Sequence, residues 1–412
     1  MRFRTAVFGS VITTVLVGAC SNSEREIAWE GTVDTLPDGS VRVVNPPVGL
    51  WEAGIETPWR LVPEFTLGAL EGDRPDVFST ISGLEVDTEG RILVVDRNTN
   101  EVRIFSAQGE HLQTIGRTGE GPGEYTQING LIRLPSDSLL VIDQEGNRYS
   151  ILTPDGEYER SVRRQLPFFG WLFDGGIDGE RVYELTAVRT ETERLRVLIG
   201  THLGDAEAAL DTVYVPTVPG PTYDGFEVRT ERSGSYLGVP FSPRHVYRLD
   251  GRGGFWFGRG DELRLLHAEL LGDTLREVVL NTPAVPVTDA EIAEWMEEEY
   301  VRRFRERGGK IDRSRIPEEK PYWNDLVLAP DGYLWVARPG EPMQVRFAVF
   351  DSVGRYLGEV GFDGGEPVGW LTPVVTNGRL YIATQDELGV QRVQVFGIED
   401  ETEELESAET PR

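Results

Sequence analysis

The stretch Ile81-Ser-Gly-Leu-Glu-Val-Asp-Thr-Glu-Gly-Arg-Ile-Leu-Val-Val-Asp96 decides the fold, together with the segment up to Gly116. After a polar turn come Val102-Arg-Ile-Phe105, a second turn at Ala107-Gln-Gly109, and His111-Leu-Gln-Thr-Ile-Gly116. These are four short strands separated by three turns, and the turn residues are chiefly Gly, Asp and Asn, which tolerate left-handed backbone. The second strand, Ile92-Leu-Val-Val95, is apolar at every position. A sheet with one wet face would alternate, so this strand is expected to be covered on both faces.

Working outward, the unit recurs. Ile128 to Val162 repeats it, with turns at Ser136-Asp137 and Pro154-Asp155-Gly156. A looser copy runs from Gly170 to Val215, and another from His245 to Leu280. A fifth covers Trp323 to Gly361, and a sixth begins near Trp370 with Asn377-Gly378, Leu380-Tyr-Ile-Ala383 and Val393-Gln-Val-Phe396. Every second strand is again nearly all apolar, as in Phe255-Trp-Phe257 and Leu334-Trp-Val-Ala337. The sixth copy lacks its fourth strand. Trp59-Arg-Leu-Val-Pro-Glu-Phe65-Thr-Leu-Gly68 supplies one from the other end, and its close matches Thr114-Ile-Gly116 and Glu359-Val-Gly361. The arithmetic gives an all-β ring of six four-stranded blades over residues 59–398, a β-propeller with no open radial edge.

The repeat, with the Gly119-Glu-Gly121-Pro-Gly123-Glu-Tyr125 connection, resembles the NHL-type repeats of bacterial six-bladed propellers in the wider TolB-like group. The resemblance implies the fold and leaves the activity open, because propellers host many functions. The three glycines are not a dinucleotide fingerprint, since no helix follows them.

The ends carry a different message. Arg2 and Arg4 precede an apolar run from Ala6 to Val17, too short for a comfortable membrane span. Leu16-Val-Gly-Ala19-Cys20 then resembles a bacterial lipobox, with Cys20 the sole cysteine. The resemblance implies a signal peptide over 1–19, lipid on Cys20, and, from Ser21, sorting to the outer membrane facing the periplasm. No cysteine would remain for a disulfide, so burial must stabilise the fold. Residues 20–58 are read as anchor, a hairpin around Leu36-Pro-Asp-Gly39 and a linker with Pro46 and Pro47, together a spacer. Residues 399–412 hold seven acids in fourteen positions and are expected to be a disordered tail. The formal charge of −28 becomes −30 once Arg2 and Arg4 leave with the signal. That balance argues against nucleic acid and anionic headgroups as partners. A monomer is expected.

Propeller geometry locates a site. The face where first strands begin and second strands end carries the channel mouth and the inter-blade connections. Second-strand ends give Asp96, Asp143, Thr186, Arg259, Arg338 and Thr384. Two acids on adjacent blades opposite two arginines could orient a zwitterionic or partly anionic ligand. Alternatively each caps its own loop, as the resemblance implies for the aspartates. First-strand starts add Asn129, Trp171, Arg244, His245, Asn324, Asp325 and Trp370. Asn129, Asn324 and Asp325 are oxygen ligands suited to a hard cation such as Ca²⁺, although the glutamate used by lactonase-like propellers has no counterpart here. Both long insertions rise from the same face: 216–242, rich in Gly and Pro, and 281–320, which contains a helix capped by Thr288 with Glu291. Ile292, Trp295, Met296, Tyr300 and Phe304 form its apolar stripe, and Gly308-Gly309 ends it. These insertions are either a lid over the mouth or rim decoration. Two functions stay open: a lipid-tethered scaffold binding an envelope protein, peptide or glycan, or a metal-assisted hydrolase or lyase in the channel.

Overall fold

The computed structural model describes residues 29–401, apart from 165, 167–174, 190–193, 205–209, 217, 222, 224, 230–233 and 341–342. The signal region with Cys20, Trp171 and residues 402–412 lie outside the described residues. Three strands precede the first repeat: β1 (Thr32–Thr35), β2 (Val41–Asn45) and β3 (Trp59–Leu67). Blade 1 then consists of Ile81–Val86, Ile92–Asp96, Glu101–Phe105 and His111–Ile115. Blade 2 consists of Ile128–Arg133, Leu139–Asp143, Arg148–Leu152 and Tyr158–Arg163. Blade 3 is Gly175–Asp178, Arg181–Arg189, Arg194–His202 and Leu210–Tyr214. Blade 4 is His245–Leu249, Gly254–Arg259, Arg264–Glu269 and Thr274–Leu280. Blade 5 is Asp325–Leu328, Leu334–Arg338, Gln344–Phe350 and Tyr356–Asp363. Blade 6 is Val374–Thr376, Arg379–Gln385, Gln391–Asp400 and β3. Innermost strands touch around a common axis between blades 1 and 2, 3 and 4, 4 and 5, 5 and 6, and 6 and 1. The chain is a six-bladed β-propeller.

The parity of each second strand explains the ring. Leu93 and Val95 pack with Leu131, Leu139 and Val141 of blade 2. Ile92 and Val94, pointing the other way, pack with Tyr381, Val393 and Val395 of blade 6. All four are at most 1 % exposed, and each such side chain contributes about 1.5–3 kcal/mol by leaving water. The core is therefore a circle of inter-blade clusters.

Closure follows the expected pairing. Val393, Gln394 and Val395 pair with Leu67, Thr66 and Phe65, and after a bulge the ladder continues to Asp400 opposite Trp59. Pro63 sits beside the bulge on this outermost strand, where proline's missing donor is tolerated. Side chains finish the seam towards blade 1. Arg379 bonds Glu64 and donates to the carbonyl of Ala107 (3.1 Å). Buried Gln391 accepts from the amide of Ile81 (2.6 Å).

The segment before β3 does more than space. β1 and β2 form the expected hairpin, and β2 pairs in parallel with Thr274–Leu280, extending blade 4 outward to six strands. Asn45, 1 % exposed, donates to the carbonyls of Val279 (3.2 Å) and Gly354 (2.9 Å) and accepts from the amide of Tyr356 (2.7 Å). The amides of Leu50 and Trp51 donate to Tyr356 and Leu357 on the outer edge of blade 5. Residues 32–67 thus line the rims of blades 4, 5 and 6 in turn, protecting edges that would otherwise be free to pair with other chains. At the other end the acidic run starts inside the sheet: Glu399 is opposite Arg60 and bonds it at 2.8 Å.

A chain beginning at residue 69 is expected to lose cooperative thermal unfolding and to aggregate. A synthetic peptide of residues 57–69 added in trans should restore both, as read by circular dichroism and size-exclusion chromatography.

Candidate functional site

At the ends of the second strands the two aspartates are wholly buried. Asp96 accepts from the amides of Ser79 (3.0 Å), Thr80 (3.3 Å) and Asn98 (3.3 Å) and from Arg103 (3.2 Å). Asp143 accepts from the amides of Thr126, Gln127 and Gly146 and from Arg148 (3.2 Å). The surrounding loops repeat one design, with Asn100 and Asn147 at φ 57° and 48° just before each third strand. The oxygens of each carboxylate are engaged by its own loop and the preceding inter-blade connection. The loop-capping alternative is the one realised.

The arginines are likewise committed. Arg259, 4 % exposed, donates to the carbonyl of Pro221 and lies 3.2 Å from Asp261. Arg338 reaches Glu359 of its own blade at 3.6 Å. His245 stands opposite Arg259 across the strand pair, and its Nε2 is 3.3 Å from the carbonyl of Val218. Burial holds its imidazole below the ordinary range and so favours its neutral form. Tyr247 donates to the carbonyl of Pro216 (3.1 Å). Three side chains from the two inner strands of blade 4 therefore grip the stem of the first insertion.

The candidate oxygen ligands are held in different ways. Asn129 is 2 % exposed and donates to Gln144 (2.9 Å). Asp325 is ion-paired with Arg248, which also donates to Thr372 (2.8 Å) and so ties blades 4, 5 and 6 together. Asn324 is exposed, and its backbone N–H donates to the carbonyl of Ala337 (3.0 Å). A guanidinium seated on Asp325 supplies the positive charge that an ion would otherwise bring. Among the described residues no group of three or more Asp, Glu, His or Cys is placed to hold a metal. Trp370, 49 % exposed, donates its Nε1 to the carbonyl of Ile81 (3.0 Å).

The built feature of this face is a cap. The first insertion folds a hairpin, Phe226–Arg229 with Gly234–Leu237, where a Gly- and Pro-rich sequence suggested only loop. The second holds α1 (Asp289–Glu297) and α2 (Glu299–Glu306), not one helix. Thr288 and Glu291 form the expected capping box. The break at Glu298 (ψ 138°) rotates the apolar face, burying Val301 and Phe304 and leaving Tyr300 56 % exposed. Phe226, Leu237 and Val239 of one insertion and Val301, Phe304 and Ile316 of the other form a single small core. Arg315 donates to the carbonyl of Gly225 (3.3 Å) and lies over Phe226, while Arg307 donates to Ser235 (2.9 Å). The neck is a pair of rungs, Val287 to Glu318 and Lys320 to Val285, locked by the Lys320–Glu291 ion pair.

Two acids, one buried and one partly buried, escaped sequence reasoning. Glu184, inside the apolar run Val182–Leu185, accepts two bonds of 2.7 Å from Arg164 and one from Tyr149, all within the seam of blades 2 and 3. The lone acid in an apolar strand was the available signal. Glu85, on the innermost strand of blade 1, is partly buried; loss of water raises its carboxyl to about 7, against the pull of Arg133.

A family model described as 6-bladed beta-propeller, DUF5128, matches residues 69–164. Solved structures with a similar fold include a member of the DUF4221 family from Bacteroides vulgatus (14% identity, covering 84% of this chain and 99% of that chain, TM-score 0.48). Another is virginiamycin B lyase from Staphylococcus aureus (10% identity, 82% and 99% covered, TM-score 0.41). A third is regucalcin, a calcium-binding protein from Agrobacterium tumefaciens (12% identity, 86% and 96% covered, TM-score 0.39). No curated protein matches the sequence.

Asp143→Ala is expected to lower stability by about 3 kcal/mol in urea unfolding, because it strands Arg148 and three amides. Glu85 gives a pH signature. Its folded pKa lies above the unfolded one, so the native state binds the extra proton and stability falls as pH rises from about 4.5 to about 7. Glu85→Gln should therefore gain about 3 kcal/mol over the parent at pH 8 and nothing below pH 4.

Proposed function

We propose that this chain is an exported scaffold, tethered in the cell envelope through lipid on Cys20, that captures an envelope protein through its cap. One observation carries the reading: insertions from two consecutive inter-blade connections share one core and stand as a single platform on blade 4. An insertion that only bridged two blades would not need a partner insertion to bury Phe226 or Phe304. The platform keeps Tyr236 and Tyr300 largely exposed, at 66 % and 56 %, among arginines. Tyr and Arg, with Trp, are enriched where partner energy concentrates. The candidate mouth charges, by contrast, hold loops and stems in place, which favours recognition on the cap over a small ligand in the channel.

Replacing residues 288–317 with a short Gly-Ser bridge should leave the ring's melting temperature within a few degrees of the parent. In the same cells, photocrosslinked adducts of the parent should vanish. Identical adducts from the bridged variant would overturn the proposal.

A further inference from the structure

We infer that the basic arm of the cap docks on an anionic bilayer surface, and that the tether is placed to bring it there. The inference rests on the reading of Cys20 as a lipid anchor. Residues 302–315 contain seven Arg or Lys against two acids, Glu306 and Asp312, a local balance of +5 in a chain of −28. Among the described residues most arginines are paired with acids. Arg302, Arg305, Lys310 and Arg313 are exposed and make no side-chain hydrogen bond or ion pair among the described residues. Acids flank this arm: Asp289, Glu291, Glu294 and Glu297 lie on α1, Glu298 and Glu299 open α2, and Glu318 and Glu319 close the insertion, so the basic stretch is confined to residues 302–315.

Topology supplies the second, independent observation. Thr32 of β1 is opposite Val44 of β2, which is opposite Val279 on the outer strand of blade 4. The helical insertion leaves that strand immediately after Leu280. The N-terminal segment thus joins the fold two strand widths, about 10 Å, from where the cap's second stem departs. Residues 20–28 span at most about 30 Å, so a lipid on Cys20 keeps blade 4, and the cap rooted on it, next to the membrane. Electrostatics at that range is local. The Debye length is about 8–10 Å at physiological salt, so distant acids on the ring are screened while the cap's cations meet the headgroups. Each cation near such a surface strengthens binding about fivefold, and the tether makes even a weak contact persistent by raising effective concentration. The net charge alone argued against anionic headgroups. The segregation of charge reverses that conclusion for this one face.

The test separates patch from anchor. The mature chain from residue 20 with Cys20→Ser, which carries neither the apolar signal nor the lipid, is sedimented with vesicles of phosphatidylcholine alone or with a minority of phosphatidylglycerol. Binding is expected to the anionic vesicles only, to fade at high salt, and to fall at least about 25-fold in R302E/R313E. R302K/R313K should retain it, and all variants should melt together. Equal binding to both vesicle types, no binding to either, or an unaffected R302E/R313E protein would overturn the inference. Palmitate labelling of the full-length parent and Cys20→Ser chains judges the anchor by itself. Label that persists in Cys20→Ser removes the tether argument, and with it the inferred docking, whatever the vesicles show.

Discussion

Among the described residues the second strands of the blades are apolar and buried on both faces, and that single constraint forces the architecture. A sheet of this kind needs a neighbour on each side, and a linear stack would leave its two outermost faces wet. Closing the stack into a ring is the finite solution. The join is made inside blade 6 by a ladder between Trp59–Leu67 and Gln391–Asp400. Backbone hydrogen bonds are directional where apolar contact is not, so the ladder fixes which strand closes the ring and in what register. The entropy of tying two distant chain segments rises only with the logarithm of the intervening length, which is why one strand suffices.

Once the ring exists, charge is distributed by necessity. The inter-blade seams exclude water, and a charge left there must be paired and hydrogen-bonded. Asp96 with Arg103, Asp143 with Arg148, and Glu184 with Arg164 all obey that rule within or between blades. These contacts consume the groups that would otherwise decorate the channel mouth. What remains chemically free is displaced outward, onto the insertions, where no seam demands partners.

The fold was legible because its signals are local and repeated: turn residues at fixed offsets, second strands apolar at both parities, and a missing strand found at the other terminus. The candidate site was legible only as positions. That Asp96 and Asp143 end second strands is visible in the residue order; that each is surrounded by converging amides depends on loop geometry that only the folded ring creates. The hairpin at 226–237 was hidden because its apolar residues, Phe226, Val228 and Leu237, are too few to show a period. They are buried by a helix encoded some sixty residues later. The docking of β2 on blade 4 was hidden for a related reason. Parallel pairing across more than two hundred residues leaves no mark in either segment beyond the apolar Val41 and Val43.

Blade 4 is where these threads meet, and the reason is mechanical. One insertion arrives at the start of its innermost strand and the other leaves the end of its outermost strand, so the cap bridges the blade's full radial width. Neither insertion could be ordered alone, since the shared core takes three buried apolar residues from each. A platform held at both ends of one blade transmits any load on it to that blade. The same blade carries two additional strands, β2 and β1, outside its fourth. Asn45 pins that extension to blade 5, and Arg248 pins the innermost strand to blades 5 and 6. The reinforcement therefore runs from channel to rim beneath the cap, as expected if the cap is the part of the molecule that meets something else.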